Sequence, residues 1–197
     1  MTQFEKLDEL IEIHNGIIRT SQVVDAGVVK PTFYSYVNER GLERMAHGIY
    51  VSSDAWTDAM YVLHLRCEQA VFSHETALFF HDLTDREPMQ YTITVKTGYN
   101  PTKLKADGMQ VYTVKKELHE IGRIMMKTSF GHEVPVYDME RTICDLIRNR
   151  SNIEIQTLQG ALKQYTRTRG KNLRTLMQYA KLFRVERILR QYLEVLL

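Results

Sequence analysis

A chain of 197 residues, 44 % hydrophobic and 25 % charged, can form one large domain or two small ones. It has no apolar run of roughly eighteen residues for a membrane helix, and no apolar signal-peptide centre follows Met1-Thr2-Gln3-Phe4-Glu5-Lys6, so a cytoplasmic chain is expected. The net charge is only +2, and two distant cysteines, Cys67 and Cys144, suit buried thiols better than a disulfide framework or a zinc site.

Residues 3–14 set Phe4, Leu7, Leu10 and Ile11 at helical spacing among acids, and Asn15-Gly16 ends that helix. Ile17-Ile18 reads as an apolar link. Thr20 or Ser21 caps a second helix through Val23, Val24 and Ala26, which Gly27 stops. Pro31 suits the first turn of a third helix, since its missing N–H would be unpaired there anyway. That helix buries Phe33, Tyr36 and Val37 and ends at Gly41. Leu42–Met45 and Ile49–Val51 flank Ala46-His47-Gly48 as a β-hairpin. Helix, helix, turn, helix, hairpin is the order of a winged helix-turn-helix.

Beyond residue 53 the pattern changes. Asp54 is expected to cap a helix through Trp56, Met60, Leu63 and Cys67, and Ser73–His81 to form another. Tyr91, Ile93 and Val95 alternate with Thr92, Thr94 and Lys96 as a half-buried strand. A polar loop runs from Gly98 to Gly108, and residues 109–114, 122–129 and 134–137 supply more strands. Asp138 caps a helix carrying Met139, Ile143, Leu146 and Ile147; further helices span about 153–165, 173–183 and 185–197. The fold class expected is mixed α/β. A winged helix-turn-helix occupies 1–52, and an α+β domain over 53–197 has a mainly antiparallel sheet and several terminal helices.

In a helix-turn-helix the second helix enters the major groove, where base edges are distinguishable. Burial of Phe33, Tyr36 and Val37 turns Lys30, Thr32, Tyr34, Ser35 and Asn38 outward. Asn38 has the donor and acceptor to read adenine. Thr32, Tyr34 and Ser35 can bond phosphates or bases, and Lys30 supplies charge. Arg44 and His47 on the hairpin reach toward an adjacent groove or phosphate. The partner is thus double-stranded DNA. Residues 1–52 nevertheless hold five basic against seven acidic residues, whereas 141–197 hold twelve against four. Arg167, Arg169, Lys171 and Arg174 in that basic stretch are candidate accessory polyanion contacts, with a solvated helical face as the equal alternative.

The runs Gly16-Ile17-Ile18-Arg19, Val23–Val28, Gly41-Leu42-Glu43-Arg44 and Gly48-Ile49-Tyr50-Val51 resemble the N-terminal domain of AbiEi-type antitoxins. Phe72–Leu78, Tyr91–Val95 and Asp138–Asp145 are similar to segments of that family's C-terminal domain. The resemblance implies a toxin–antitoxin or abortive-phage-infection system, with a winged helix that represses its own operon at inverted repeats. It also implies a C-terminal domain that opposes a nucleotidyltransferase-like toxin.

Catalytic readings find less support. His74-Glu75 would open a zinc-protease motif only with histidine at position 78, which is Leu78; His81 adds a second ligand but not a site. Asp82 and Asp85 precede a strand ending Thr94-Val95-Lys96, which lacks the second carboxylate of a metal-dependent nuclease. No phosphate loop or nucleophile elbow occurs. No enzyme activity, cofactor or metal is therefore expected. The alternatives are a winged-helix protein-interaction module and a regulator fused to a degenerate nuclease-like domain. Most aromatics match the buried period; Tyr34, Tyr99 and Tyr165 are the expected exceptions.

Overall fold

The computed structural model describes residues 2–196, and among these the chain forms eleven α-helices and two sheets in a mixed α/β architecture. It divides into two compact units, Met1–Glu68 with Met126–Val134, and Gln69–Met125 with Pro135–Leu197.

The first unit opens with α1 (Gln3–Ile13), whose start is a capping box: the Thr2 hydroxyl accepts from the Glu5 N–H, and the Glu5 carboxylate accepts from the Thr2 N–H. Then follow β1 (Ile17–Arg19), α2 (Thr20–Asp25), α3 (Lys30–Arg40), β2 (Glu43–Ala46), β3 (Ile49–Val51) and α4 (Ala59–Arg66). Leu7, Ile18, Val23, Phe33, Tyr36 and Tyr50 form the core shared by α1–α3 and the sheet. That sheet is antiparallel with order β1-β3-β2, so Ile17-Ile18, which sequence gives only as a link, is a strand pairing Ile18 with Tyr50. Three residues are too few to show a period.

The pattern change at residue 53 is not where this unit ends. Val62 and Leu65 of α4 pack with Ile17, Ile49 and Val51, covering a second set of sheet side chains. Asp58, not Asp54, caps α4 by accepting from the Tyr61 N–H at 3.1 Å, and Asp54 instead accepts from the Ser52 hydroxyl. Trp56 lies before the helix and is 80 % exposed. Asp58 is buried because it also accepts from Thr128 at 2.5 Å and binds His132 at 2.8 Å, with the His132 ring stacked on Tyr61.

The second unit contains β4 (Val71–Phe72), α5 (His74–Phe80), β5 (Thr92–Lys96), α6 (Thr102–Ala106), β6 (Gln110–Val114) and α7 (Lys116–His119). After β7 (Arg123–Lys127) and β8 (Glu133–Tyr137) come α8 (Met139–Arg148), a 3-10 turn, α9 (Ile155–Arg167), α10 (Leu173–Leu182) and α11 (Glu186–Leu196). The five-stranded sheet has order β6-β5-β4-β8-β7. Within it β4 pairs β5 antiparallel, while β5 pairs β6 and β4 pairs β8 in parallel. The reason is α6. The segment read as an open loop carries a short helical crossover, so β6 enters beside β5 in the same direction.

The strand at 91–96 also departs from simple alternation. Thr92 and Thr94 are buried, because Thr92 bonds Thr76 through both its N–H and its hydroxyl, and Thr94 donates to Ser73 at 2.9 Å. Both cysteines are free and buried. Tyr165, expected on a polar face, is fully buried and donates to Glu140 at 3.0 Å. Among the described residues no helix is long and apolar enough to cross a membrane.

Candidate functional site

The site is built on α3. Its start has Pro31 in the first turn and no side-chain cap on Val29, and Gly41 ends it in the left-handed conformation, φ 66°. The inner face is fastened twice to the rest of the first unit. Phe33 meets Tyr50 edge-to-face at 5.2 Å, and Tyr36 meets Phe4 of α1 in the same way at 5.2 Å. The Tyr36 hydroxyl donates to Asp8 at 2.6 Å, and Arg40 donates to the other Asp8 oxygen at 2.9 Å. Burial, followed by the neighbouring Asp8, pushes the Tyr36 phenol well above its usual range. Asp8 and Arg40 thus satisfy each other.

The outer face has few internal partners. Lys30, Tyr34 and Asn38 stand four residues apart on one exposed stripe, with Tyr34 46 % exposed. Ser35 is exposed on the next stripe, and its hydroxyl bonds only the carbonyl of Pro31, one turn back, at 3.2 Å. Thr32 is half-buried and follows furthest around the helix from the Lys30–Asn38 stripe.

A groove of about 590 Å³ runs beside this stripe, and Lys30, Tyr34, Arg44 and His47 all line it. Its far wall is the β2–β3 hairpin. Between Arg44 and Ala46 the pairing with β3 slips by one residue, a bulge that bends the hairpin. Both the N–H and the hydroxyl of Thr20 donate to the Gly48 carbonyl, at 2.8 and 3.2 Å, so the hairpin turn is held to the start of α2. Arg44 folds onto the turn, donating to the Ala46 carbonyl at 3.3 Å and to His47 Nδ1 at 3.1 Å. A guanidinium only donates, so Nδ1 accepts and the His47 ring presents an N–H at Nε2.

The groove also takes in Thr20 and Ser21, which sequence gives as candidate helix caps, and Arg19, to which it gives no site role. Arg19 becomes a wall residue only because β1 pairs with β3, and the pairing has no local signal. Its guanidinium is bound by Glu68, whose carboxyl it holds below the usual range through hydrogen bonding and charge. Asp25 is the one acid of this lining, against Arg19, Lys30 and Arg44. Four of the seven acids in residues 1–52 sit instead on α1 (Glu5, Asp8, Glu9, Glu12), which explains how a net acidic segment presents a cationic groove.

The four basic residues near the C-terminus lie in the second unit, around the α9–α10 connection. Arg167, Arg169 and Arg174 are exposed, whereas Lys171 is half-buried and donates to the Thr168 carbonyl at 3.3 Å. Glu140 pins this connection by accepting from the Asn172 N–H at 2.8 Å.

The histidines weighed as metal ligands have other partners. His74 is buried with φ +48°, stacked on Tyr112 at 3.7 Å, and bonded to Ser73 and Asn149. Burial first, then the charges of Arg141 and Arg148, lower its imidazole to about 3. His81 bonds the Tyr137 carbonyl at 2.7 Å. Among the described residues no three His, Cys, Asp or Glu side chains are grouped to hold a metal.

No protein-family model matches this chain, and no curated protein matches its sequence. Among solved structures it is similar to the RV2827C protein from Mycobacterium tuberculosis, with a TM-score of 0.59 and 10 % sequence identity over 92 % of this chain and 72 % of that one. That likeness is one of fold.

Proposed function

We propose that the protein is a non-catalytic DNA-binding regulator whose first unit is a winged helix-turn-helix. In this reading α3 lies in the major groove and the β2–β3 hairpin is the wing. The observation that carries it is the joint exposure of Lys30, Tyr34, Ser35 and Asn38 on one side of α3, with Arg44 and His47 on the neighbouring hairpin. Phosphate contacts from Lys30 and Arg44 fix register, and Asn38 and Ser35 meet base edges. The His47 N–H at Nε2 is a donor for a phosphate or a minor-groove acceptor.

The resemblance of the quoted motifs to AbiEi-type antitoxins supports a more specific role. The chain then represses its own operon at inverted repeats by excluding polymerase, and its second unit opposes a nucleotidyltransferase-like toxin encoded beside it. The basic residues at 167–174 are accessory contacts in that reading.

A duplex from the region upstream of the gene tests the proposal by fluorescence anisotropy. Specific binding with a steep salt dependence is expected, each lost phosphate contact reducing the slope by about one. Replacing Lys30, Ser35 and Asn38 together by Ala should weaken specific binding about 100-fold with folding intact. Unchanged affinity would remove α3 from the interface.

A further inference from the structure

Away from α3, the second unit contains a recess of about 470 Å³ where α7, the end of α8 and the α10–α11 junction meet. Three cations line it: Lys115, Arg148 and Arg184. Their side chains make no ion pair or hydrogen bond to any carboxylate among the described residues. Surface cations elsewhere in this chain are often matched: Lys96 and Arg123 share Glu120, and Arg190 bonds Glu186. Here one acid, Glu117, shares the lining with three bases, leaving two positive charges over.

Arg184 gives a second, independent observation. It follows the end of α10 with φ +59°, the left-handed position at which helices ordinarily place glycine. Phe183 and Val185 on either side are both buried, so the backbone here is fixed, and the junction needs no side chain at 184 for its packing. An arginine in a glycine position costs stability without aiding the fold, and strain of this kind is a pointer to function.

The floor is a third. Phe183, Leu118 and Leu182 line the recess, and directly behind them lies Arg141. The Arg141 guanidinium stacks on Phe183 at 3.9 Å and donates to the Leu118 carbonyl at 2.7 Å, while its second terminal nitrogen is buried without a hydrogen-bond partner among the described residues. Arg141 is itself paired with Asp145 at 2.9 Å, so the floor offers an apolar surface and the unbalanced charge is that of the rim.

From this we infer that the recess binds a phosphomonoester of mononucleotide size, held by Lys115, Arg148 and Arg184 with its organic part against Leu118 and Leu182. Guanidinium forks match phosphate oxygens in pairs, and Lys115 adds a point charge. The surplus of two charges balances a phosphomonoester, close to a dianion at neutral pH, better than the single charge of each nucleic-acid diester. The volume lies in the range of small-ligand sites.

Isothermal titration calorimetry on the full chain, with AMP, inorganic phosphate and adenosine, tests this. AMP should bind saturably, phosphate more weakly, and adenosine should give no heat. Arg184→Gly is the informative variant because glycine suits the local backbone: AMP affinity should fall about tenfold or more, while the melting temperature holds or rises by about 2 °C. Arg148→Gln should weaken AMP similarly. Three results would overturn the inference: no saturation by about 5 mM AMP, equal binding of adenosine, or affinity unaltered in both variants. Displacement of AMP by a DNA duplex whose own affinity falls in Arg184→Gly would overturn it too, assigning the recess to nucleic acid.

Discussion

Two helices of similar length, α3 and α8, use polar residues in opposite ways. In α8 every residue from Glu140 to Ile147 is buried, and most of the charged and hydroxyl groups among them find partners inside the second unit. Arg141 pairs with Asp145 at 2.9 Å and donates to the carbonyls of Leu118 and Ile121; Glu140 accepts from Tyr165 and Asn172; Thr142 donates to Tyr137. In α3 only Phe33 and Tyr36 are fully buried, and on the outer face only Ser35 has a side-chain hydrogen bond among the described residues, one turn back on its own helix. Polar residues that consume one another inside the fold serve stability, whereas polar residues on a rigid helix with little to bond are available to something else. Substitution in α8 should therefore cost folding, and substitution on the outer face of α3 should cost only binding.

The largest effect should come from Arg141→Leu. It leaves the buried Asp145 without its direct ion-pair partner, and breaking such a pair typically costs about 3–5 kcal/mol. Urea unfolding would show this as a large drop in midpoint, and a loss below about 1 kcal/mol would mean that the α8 network is dispensable. On α3 the same measurement applied to the Lys30, Ser35 and Asn38 triple alanine variant should move stability by no more than about 0.5 kcal/mol per site, in contrast to its loss of DNA affinity.

The comparison also explains what sequence could and could not convey. The one-sided burial of α3 was legible, because Phe33, Tyr36 and Val37 recur on one face and the helix is bracketed by Pro31 and Gly41. In α8 the apolar stripe of Met139, Ile143, Leu146 and Ile147 was equally legible, yet the burial of Arg141 was not. Its partners at Leu118 and Ile121 lie some twenty residues away, and nothing in the local pattern announces them. Asp58 was missed as the α4 cap for the same reason: its burial depends on Thr128 and His132. The groove beside α3 was half visible. Lys30, Tyr34, Arg44 and His47 were found from helix and hairpin geometry, but Arg19 joins them only through the pairing of β1 with β3.

A pH series sharpens the contrast. His74 is neutral in the fold, its pKa lowered to about 3 by burial and by Arg141 and Arg148. The unfolded chain takes up a proton near pH 6.5 that the folded chain refuses until about pH 3. Its contribution to stability is therefore complete above pH 6.5 and is lost as pH falls toward 3, by about 1.4 kcal/mol per unit. His74→Asn, which tolerates positive φ, should flatten that part of the curve; an identical slope would show that His74 does not carry it.

The smallest effect concerns Arg19. Its bond to Glu68 is exposed, and such pairs contribute about 0–1 kcal/mol. Glu68→Gln should leave the unfolding midpoint nearly unchanged while freeing a cation on the groove wall, raising duplex affinity by about threefold. A weakened complex would mean that Glu68 positions Arg19 rather than restraining it.

Where a duplex sits on the protein is the most direct test of the role proposed for α3. Backbone amide shifts of the labelled chain, followed by NMR as upstream DNA is added, locate that surface without any substitution. The largest changes are expected at residues 30–38 of α3 and at Arg44–Gly48 of the hairpin, with the Phe33 and Tyr36 packing preserved. Changes confined to other surfaces, with these residues silent, would contradict the assignment of α3 as the helix that meets DNA.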